Sequence, residues 1–185
     1  LKIADVKAVF KRRFANNTVF TSLTVGEPVK VIRMWAFQNC SGITTVELPN
    51  TLQKIEFLAF AGCRKMEEIT IPESVKVLEA DIFKNCESLQ TATINAQIDS
   101  IPHGMFKNCK KLKEVNFKKP NDIKKINFES FKATALIEMN IPENVVEIDD
   151  SAFKFCENLE RVKFSPKLKM IQSKAFTYCY ELRDI

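Results

Sequence analysis

The sequence predicts a solenoid, in which short parallel strands of successive repeats stack on one another. Phenylalanine recurs every 23 residues at Phe14, Phe37, Phe60, Phe83 and Phe106, and then at intervals of 25, 22 and 23 at Phe131, Phe153 and Phe176. The apolar fraction of 45% is enough to fill a core. A unit of this size cannot bury its apolar face alone, so neighbouring units must stack. We therefore expect residues 1–185 to form one solenoid domain of about eight repeats.

One short parallel strand is predicted in each repeat, at a pattern of the form L-x-x-L-x-L. Ile69-Thr70-Ile71 and Val115-Asn116-Phe117 alternate apolar and polar residues, as a half-buried strand does. Proline often follows and ends the strand, because it has no N–H for the ladder. The rest of each unit has irregular apolar spacing, which favours turns, short helical pieces or extended pieces. Glycine occurs only four times, which suggests that the repeats avoid tight glycine turns.

The cysteines occupy one position of the repeat, at Cys40, Cys63, Cys86, Cys109, Cys156 and Cys179. In a stacked ladder their Cβ atoms lie about 5 Å or more apart, whereas a disulfide needs roughly 3.5 to 4.5 Å. Buried free thiols are therefore favoured, with disulfides or a metal as alternatives. There is no C-x-x-C pair, and the single histidine, His103, follows a proline in a turn-like stretch. We expect no metal site and no cofactor.

The unit L-x-x-I-x-I-P-x-x-V-x-x-I-x-x-x-A-F-x-x-C, clearest from Leu159 to Cys179, resembles the 23-residue leucine-rich repeats of BspA-type surface proteins. The resemblance implies a right-handed leucine-rich-repeat superhelix, with a parallel sheet on its concave face and turns or short helical pieces on the convex side. It also implies a secreted or cell-surface adhesion protein and supplies no catalytic residues. The pattern lacks cysteine at Asn17 and Ala133-Thr134, and lacks proline at Asn95 and Lys118.

Polar residues between the buried strand positions are predicted to form two columns on the concave face. We call them the strand columns. The first contains Ser22, Thr45, Glu68, Thr91, Glu114, Glu138, Arg161 and Asp184, and the second contains Thr24, Glu47, Thr70, Thr93, Asn116, Asn140 and Lys163. Neither column has an aromatic residue. The columns are either a binding surface for a protein or glycan or the solvated face of a sheet, which is polar in any case.

A dense run of lysines coincides with a two-residue insertion at 118–122. We predict that this loop projects from the rim of the concave face and that Lys118, Lys119, Lys124 and Lys125 form a basic rim for an acidic protein or acidic glycan. The other reading is a set of scattered, solvated lysines. Nucleic acid is not expected as a partner, because lysine greatly outnumbers arginine here and no exposed aromatic residue is interleaved.

Three functions are compatible with these residues. The leading prediction is a non-enzymatic protein- or glycan-binding module, the second a structural spacer without binding of its own. A distant third is a polysaccharide hydrolase, since Glu114 and Glu138 on adjacent repeats would have the roughly 5 Å spacing of a retaining glycosidase.

No run of about eighteen apolar residues occurs, so membrane insertion is not expected. Because no capping sequence follows the last unit, we expect a fragment of a longer array in which end-to-end self-association is possible.

Overall fold

Two rows of short parallel strands run along the chain in the computed structural model, which describes residues 1–4 and 6–183. The first row consists of β1 (Lys2–Ile3), β3 (Ser22–Val25), β5 (Thr45–Glu47), β7 (Glu68–Ile71), β9 (Thr91–Ile94), β11 (Glu114–Phe117), β13 (Glu138–Asn140) and β15 (Arg161–Lys163). The second row consists of β2 (Ala8–Val9), β4 (Val31–Ile32), β6 (Lys54–Ile55), β8 (Val77–Leu78), β10 (Ser100–Ile101), β12 (Lys125–Ile126), β14 (Glu147–Ile148) and β16 (Met170–Ile171). In the described part of the chain, the only helical element is a 3-10 turn at Pro120–Asp122.

The predicted solenoid with a parallel strand in every repeat is confirmed, and the strands pair at the register of the repeat. Glu68 lies opposite Thr91, and Thr91 lies opposite Glu114. The predicted strands form the first row. The second row occupies part of the segment for which turns and extended pieces were expected, and each of its strands has only two residues. A two-residue strand is too short to produce an alternating pattern that a sequence could reveal.

The ladders are not continuous. The first row is divided into β1-β3-β5, β7-β9-β11 and β13-β15, and the second row is divided between β8 and β10. The break between β11 and β13 follows the insertion at 118–122 in the chain. Repeats five and six remain joined in the second row, where β10 pairs with β12 across the inserted residues.

A stack of phenylalanine rings forms the centre of the core. Neighbouring rings from Phe14 to Phe176 have centroids 5.1 to 5.8 Å apart and planes inclined by 2 to 20°. The six inner rings, from Phe37 to Phe153, are completely buried. Apolar ladders such as Ile32 and Ile55 pack beside them. The recurring phenylalanine therefore makes the central apolar contact between each repeat and the next.

The turn around each core phenylalanine contains two residues with left-handed backbone, four positions apart. Trp35 and Asn39 have φ of 58° and 57°, and the pattern recurs in every repeat up to Lys174 and Tyr178. Only Gly62 and Gly104 among these residues are glycines. The low glycine content therefore does not mean that left-handed turns are avoided. Inter-repeat hydrogen bonds, such as Phe37 N–H to the Ala59 carbonyl at 2.8 Å, stabilise the turns.

The cysteine thiols join neighbouring repeats by hydrogen bonds to backbone. Each donates to the carbonyl of the phenylalanine of the preceding repeat, as Cys86 does to Phe60 at 3.2 Å and Cys109 does to Phe83 at 3.1 Å. All six are free thiols, as the spacing predicted, and five are buried. In the sixth repeat, where cysteine is absent, Thr134 lies in the same column with its Oγ1 3.3 Å from Cys156 Sγ. The thiol is small and a weak hydrogen-bond donor, and both properties suit a buried position beside this carbonyl.

We expect the thiols to differ sharply in reactivity. Burial raises the pKa of Cys86 to about 12, so at pH 8 it holds roughly a thousandfold less thiolate than an ordinary thiol. A hydrogen bond from Cys156 lowers the pKa of the half-buried Cys179, against the opposing effect of its partial burial. Iodoacetamide should therefore modify Cys179 first in the folded protein, as mass spectrometry of timed samples can measure. Cys179→Ser should remove this fast phase, and modification of Cys86 at the same rate without denaturant would contradict the expectation.

Candidate binding surfaces

The strand columns lie on the solvent face of the first row. Glu68, Thr70, Glu114 and Asn116 are exposed, while the threonines of β9 between them are half-buried. The same face carries the remaining predicted residues, which are Thr45 and Glu47 of β5, Glu138 and Asn140 of β13, and Arg161 and Lys163 of β15. Asp184 lies outside the described residues. The strand columns are thus brought together over β7, β9 and β11 in strict register, and again over β13 and β15.

Polar contacts within the strand columns are few. Thr24 donates from Oγ1 to Glu47 Oε2 at 3.1 Å, and Asn116 donates from Nδ2 to Glu114 Oε1 at 2.9 Å. Arg161 forms an ion pair with Glu138 on the neighbouring strand. Because β7 and β9 carry only Glu68 and three threonines, the centre of the face presents hydroxyl groups and one carboxylate to solvent.

Glu114 and Glu138 do not form the facing pair that adjacent repeats would produce. They lie on β11 and β13, on opposite sides of the ladder break, and no rung of the sheet joins them. Glu138 is paired with Arg161, and Glu114 accepts a hydrogen bond from Asn116. The register that would set two carboxylates roughly 5 Å apart is therefore absent at the position where a hydrolase would need it.

The four lysines of the predicted basic rim occupy two separate places. Lys118 and Lys119 directly follow β11 in the first row, whereas Lys125 belongs to β12 in the second row and Lys124 precedes it. Lys125 forms ion pairs with Glu147 at 3.2 Å and Asp149 at 3.3 Å. Partial burial disfavours its charge, but hydrogen bonds to these carboxylates outweigh that effect and raise the pKa of Lys125.

The inserted loop folds back along the repeats instead of projecting freely from the rim. Lys119 reaches Glu73, which is 46 positions earlier in the chain, and the hydrogen bond lowers the pKa of that carboxyl. The two residues close one side of an open cleft of about 660 Å³ that also contains Lys118 and Thr70. Asn95 also lines the cleft, and its buried Oδ1 has no hydrogen-bond partner among the described residues.

A second cleft, of about 740 Å³, lies at the break between β11 and β13. Asn116 and Asn140 of the strand columns line it together with Lys163. Half-buried Phe117 and Phe164 and three prolines, Pro120, Pro142 and Pro166, form its apolar part. The sequence did not reveal this cleft, because Phe117 and Phe164 occupy strand positions at which buried core residues are predicted. The length of the insertion was the only signal of it.

Carboxylates that follow the second-row strands stabilise the backbone of neighbouring repeats. Glu56 accepts from the N–H of Met34 at 3.0 Å, and Glu79 accepts from the N–H of Phe57 at 2.8 Å. Burial opposes ionisation of Glu79, but the hydrogen bonds from Lys54 and Phe57 outweigh it and lower the pKa. Glu129 behaves similarly between Lys107 and Lys132. These carboxylates therefore have a structural role, because they join neighbouring repeats.

No group of three or more histidine, cysteine, aspartate or glutamate side chains within 1–4 and 6–183 is arranged to hold a metal ion. No helix in the same ranges is long and apolar enough to cross a membrane.

Solved structures with the same fold come from several bacteria. A leucine-rich cell surface protein of Faecalibacterium prausnitzii is 32% identical with a TM-score of 0.78, and the match covers 85% of this chain and 42% of that protein. A leucine-rich repeat protein of Bacteroides ovatus is 23% identical with a TM-score of 0.75, over 96% of this chain and 51% of that one. A leucine-rich repeat protein of T. pallidum is also 23% identical, with a TM-score of 0.68 and coverage of 96% and 72%.

The chain thus spans about half or less of the first two proteins, and the two structures at 23% identity show a likeness of fold alone. Comparison with curated proteins gave no significant match. The family model described as BspA type Leucine rich repeat region (6 copies) matches residues 7–123 and 88–185, which together leave out only the first six residues. The stacked 23-residue units, their phenylalanine and cysteine positions and this match agree, and the chain belongs to the BspA-type leucine-rich repeat family.

Proposed function

We propose that this chain is a binding module of a cell-surface or secreted protein and that it recognises a protein or glycan through the strand columns. One observation carries the proposal. The strands β7, β9 and β11 present three rungs of exposed or half-exposed polar side chains in strict register, and this face ends at the cleft between β11 and β13. Similarity to a protein described as a leucine-rich cell surface protein supports the location.

The shape of the face favours recognition of an extended partner. Neighbouring strands of a parallel sheet are about 4.8 Å apart. The three strands β7, β9 and β11 therefore offer regularly spaced hydroxyl, carboxylate and amide groups. The cleft adds apolar area at Phe117 and Phe164, which the strand columns themselves lack. Polar groups that fix orientation beside a limited apolar surface are typical of binding sites. Lys118 and Lys119 stand at the edge of the neighbouring cleft, where an acidic partner would meet them.

The partner-binding test uses a triple variant of the strand columns, Glu68→Gln, Glu114→Gln and Arg161→Gln. Wild-type protein and variant are applied to arrays of glycans and host proteins at low and physiological salt. We expect affinity for the wild-type ligands to fall at least about tenfold. A matched control is Glu157→Gln, Glu181→Gln and Arg64→Gln, which changes the net charge equally at exposed residues outside the strand columns. Equal loss in both triple variants would contradict the proposed surface.

The alternatives give different outcomes. A folded protein that binds nothing on the arrays would favour a structural spacer. Hydrolysis of a polysaccharide that is lost in Glu114→Gln or Glu138→Gln would favour an enzyme, although these residues lie on different sheets. Binding that disappears with added salt and also in the variant Lys118→Gln and Lys119→Gln would assign the contact to these two lysines, because salt screens exposed charges.

A further inference from the structure

Positive charge is concentrated in the first two repeats. Between Val6 and Val46 the sequence has six basic residues and a single acidic one, Glu27. Three of the six arginines of the chain, Arg12, Arg13 and Arg33, and its only tryptophan are within this stretch. Arginine is thus enriched here relative to the lysine-rich remainder, and arginine is the side chain that binds oxyanions with two parallel hydrogen bonds.

Trp35 holds two of these cations beside each other. The Lys11 Nζ lies 4.7 Å and the Arg12 Cζ 4.5 Å from the centroid of the indole ring. Phe57 of the next repeat packs edge-on against Trp35 at 6.3 Å. The Arg12 N–H donates to the Met34 carbonyl at 3.3 Å, so the turn that carries the cations is fixed to the second repeat. Cations ordered in advance lose less conformational entropy when they bind a ligand.

This charge is not neutralised within the described part of the chain. Lys11, Arg12 and Arg13 are exposed, and no described carboxylate lies within 4 Å of them. Other cations differ, since Arg33 has Glu56 at 3.3 Å and Lys119 is paired with Glu73. Phe10 stands beside the cluster with 67% of its surface exposed. We name Phe10, Lys11, Arg12, Arg13 and Trp35 the basic clamp.

We propose that the basic clamp binds a sulfated polysaccharide. A sulfate group is a tetrahedral anion whose oxygen atoms accept paired hydrogen bonds from a guanidinium group, and a linear polyanion needs an open surface, which the clamp offers. A single-stranded nucleic acid would instead need free aromatic faces for its bases. The Trp35 ring is already covered by Lys11 and Arg12, which leaves Phe10 alone for stacking. The clamp lies in the turns that follow β2 and β4 of the second row, so the proposal does not depend on binding at the strand columns of the first row.

The test measures binding of heparin by isothermal titration calorimetry at 50 and 150 mM salt, beside fully desulfated heparin and a single-stranded DNA oligomer. The variant Lys11→Gln, Arg12→Gln and Arg13→Gln should bind heparin at least about tenfold more weakly than the wild type. A matched control, Lys65→Gln, Lys111→Gln and Lys169→Gln, removes the same charge from other exposed sites and should change the affinity by less than about threefold. Higher salt should weaken binding of the wild type more than that of the clamp variant.

A single variant that keeps the packing on Trp35 separates a loss of heparin binding from a loss of folding. Arg13 is absent from the Trp35 contacts, so Arg13→Gln should leave the thermal unfolding midpoint unchanged and still weaken heparin binding severalfold. Equal affinity of clamp and control variants, no binding by the wild type at 50 mM salt, or undiminished binding of desulfated heparin would each overturn the proposal. Tighter binding of the DNA oligomer than of heparin would also overturn it and assign the clamp to nucleic acid.

Discussion

Replacing Phe83 by alanine is expected to lower the free energy of unfolding by about 3 to 5 kcal/mol. Phe83 is completely buried and stacks at 5.8 Å on both Phe60 and Phe106. In a solenoid each repeat contacts only its neighbours, so a cavity at this position weakens two inter-repeat interfaces at once. Thermal and urea unfolding should show a lower midpoint, by roughly 10 °C or more in the thermal experiment.

The matched control for this variant is Phe128→Ala. Phe128 is 36% exposed and contacts His103 at 5.1 Å outside the phenylalanine stack. Its replacement should cost about 1 kcal/mol or less. Similar losses in the two variants would show that the stack does not dominate the stability of the core.

Gly42→Ala is expected to destabilise the protein by about 2 to 3 kcal/mol, because the site has no room for a methyl group. A Cβ at this position would lie 2.4 Å from the Thr18 carbonyl oxygen and 2.7 Å from that of Phe20. Both atoms belong to the backbone of the first repeat, which cannot rotate away as a side chain could. Asn17 fixes that backbone by accepting hydrogen bonds from the N–H groups of Val19 and Phe20 at 3.0 and 3.1 Å.

Gly26→Ala serves as the comparison for Gly42→Ala. Its added methyl group would meet a single backbone atom, the Ile3 carbonyl oxygen, at 3.1 Å. A shift of a few tenths of an ångström relieves this contact, so we expect a much smaller change in the urea midpoint. If Gly42→Ala unfolds at the same urea concentration as the wild type, the first repeat adapts more easily than its hydrogen bonds indicate.

The repeated apolar positions could be predicted from the sequence because each of them has the same environment in every unit. Phe83, Cys86 and Ile69 recur at one spacing, and the structure places them in the phenylalanine stack, the thiol ladder and the first row of strands. The strand columns followed from the alternation of the same strands. Local periodicity and stacking were sufficient for these features.

The features that break the repeat could not be predicted in this way. The ion pair between Lys119 and Glu73 joins residues two repeats apart, and it depends on the path of the inserted loop. The ladder break between β11 and β13 depends on the path of the whole chain between these two strands, which contains the insertion at 118–122. The contacts of Trp35 with Lys11 and Arg12 require the left-handed turns, for which these residue types give no local signal.

The solenoid, its repeat length, the core and the polar face follow from the sequence, because stacking forces equivalent residues of every unit into the same environment. The folded structure is needed to see which charges are neutralised, where the ladders end and which clefts open there. Those properties depend on contacts between units that differ from one another, and a periodic pattern contains no information about such differences.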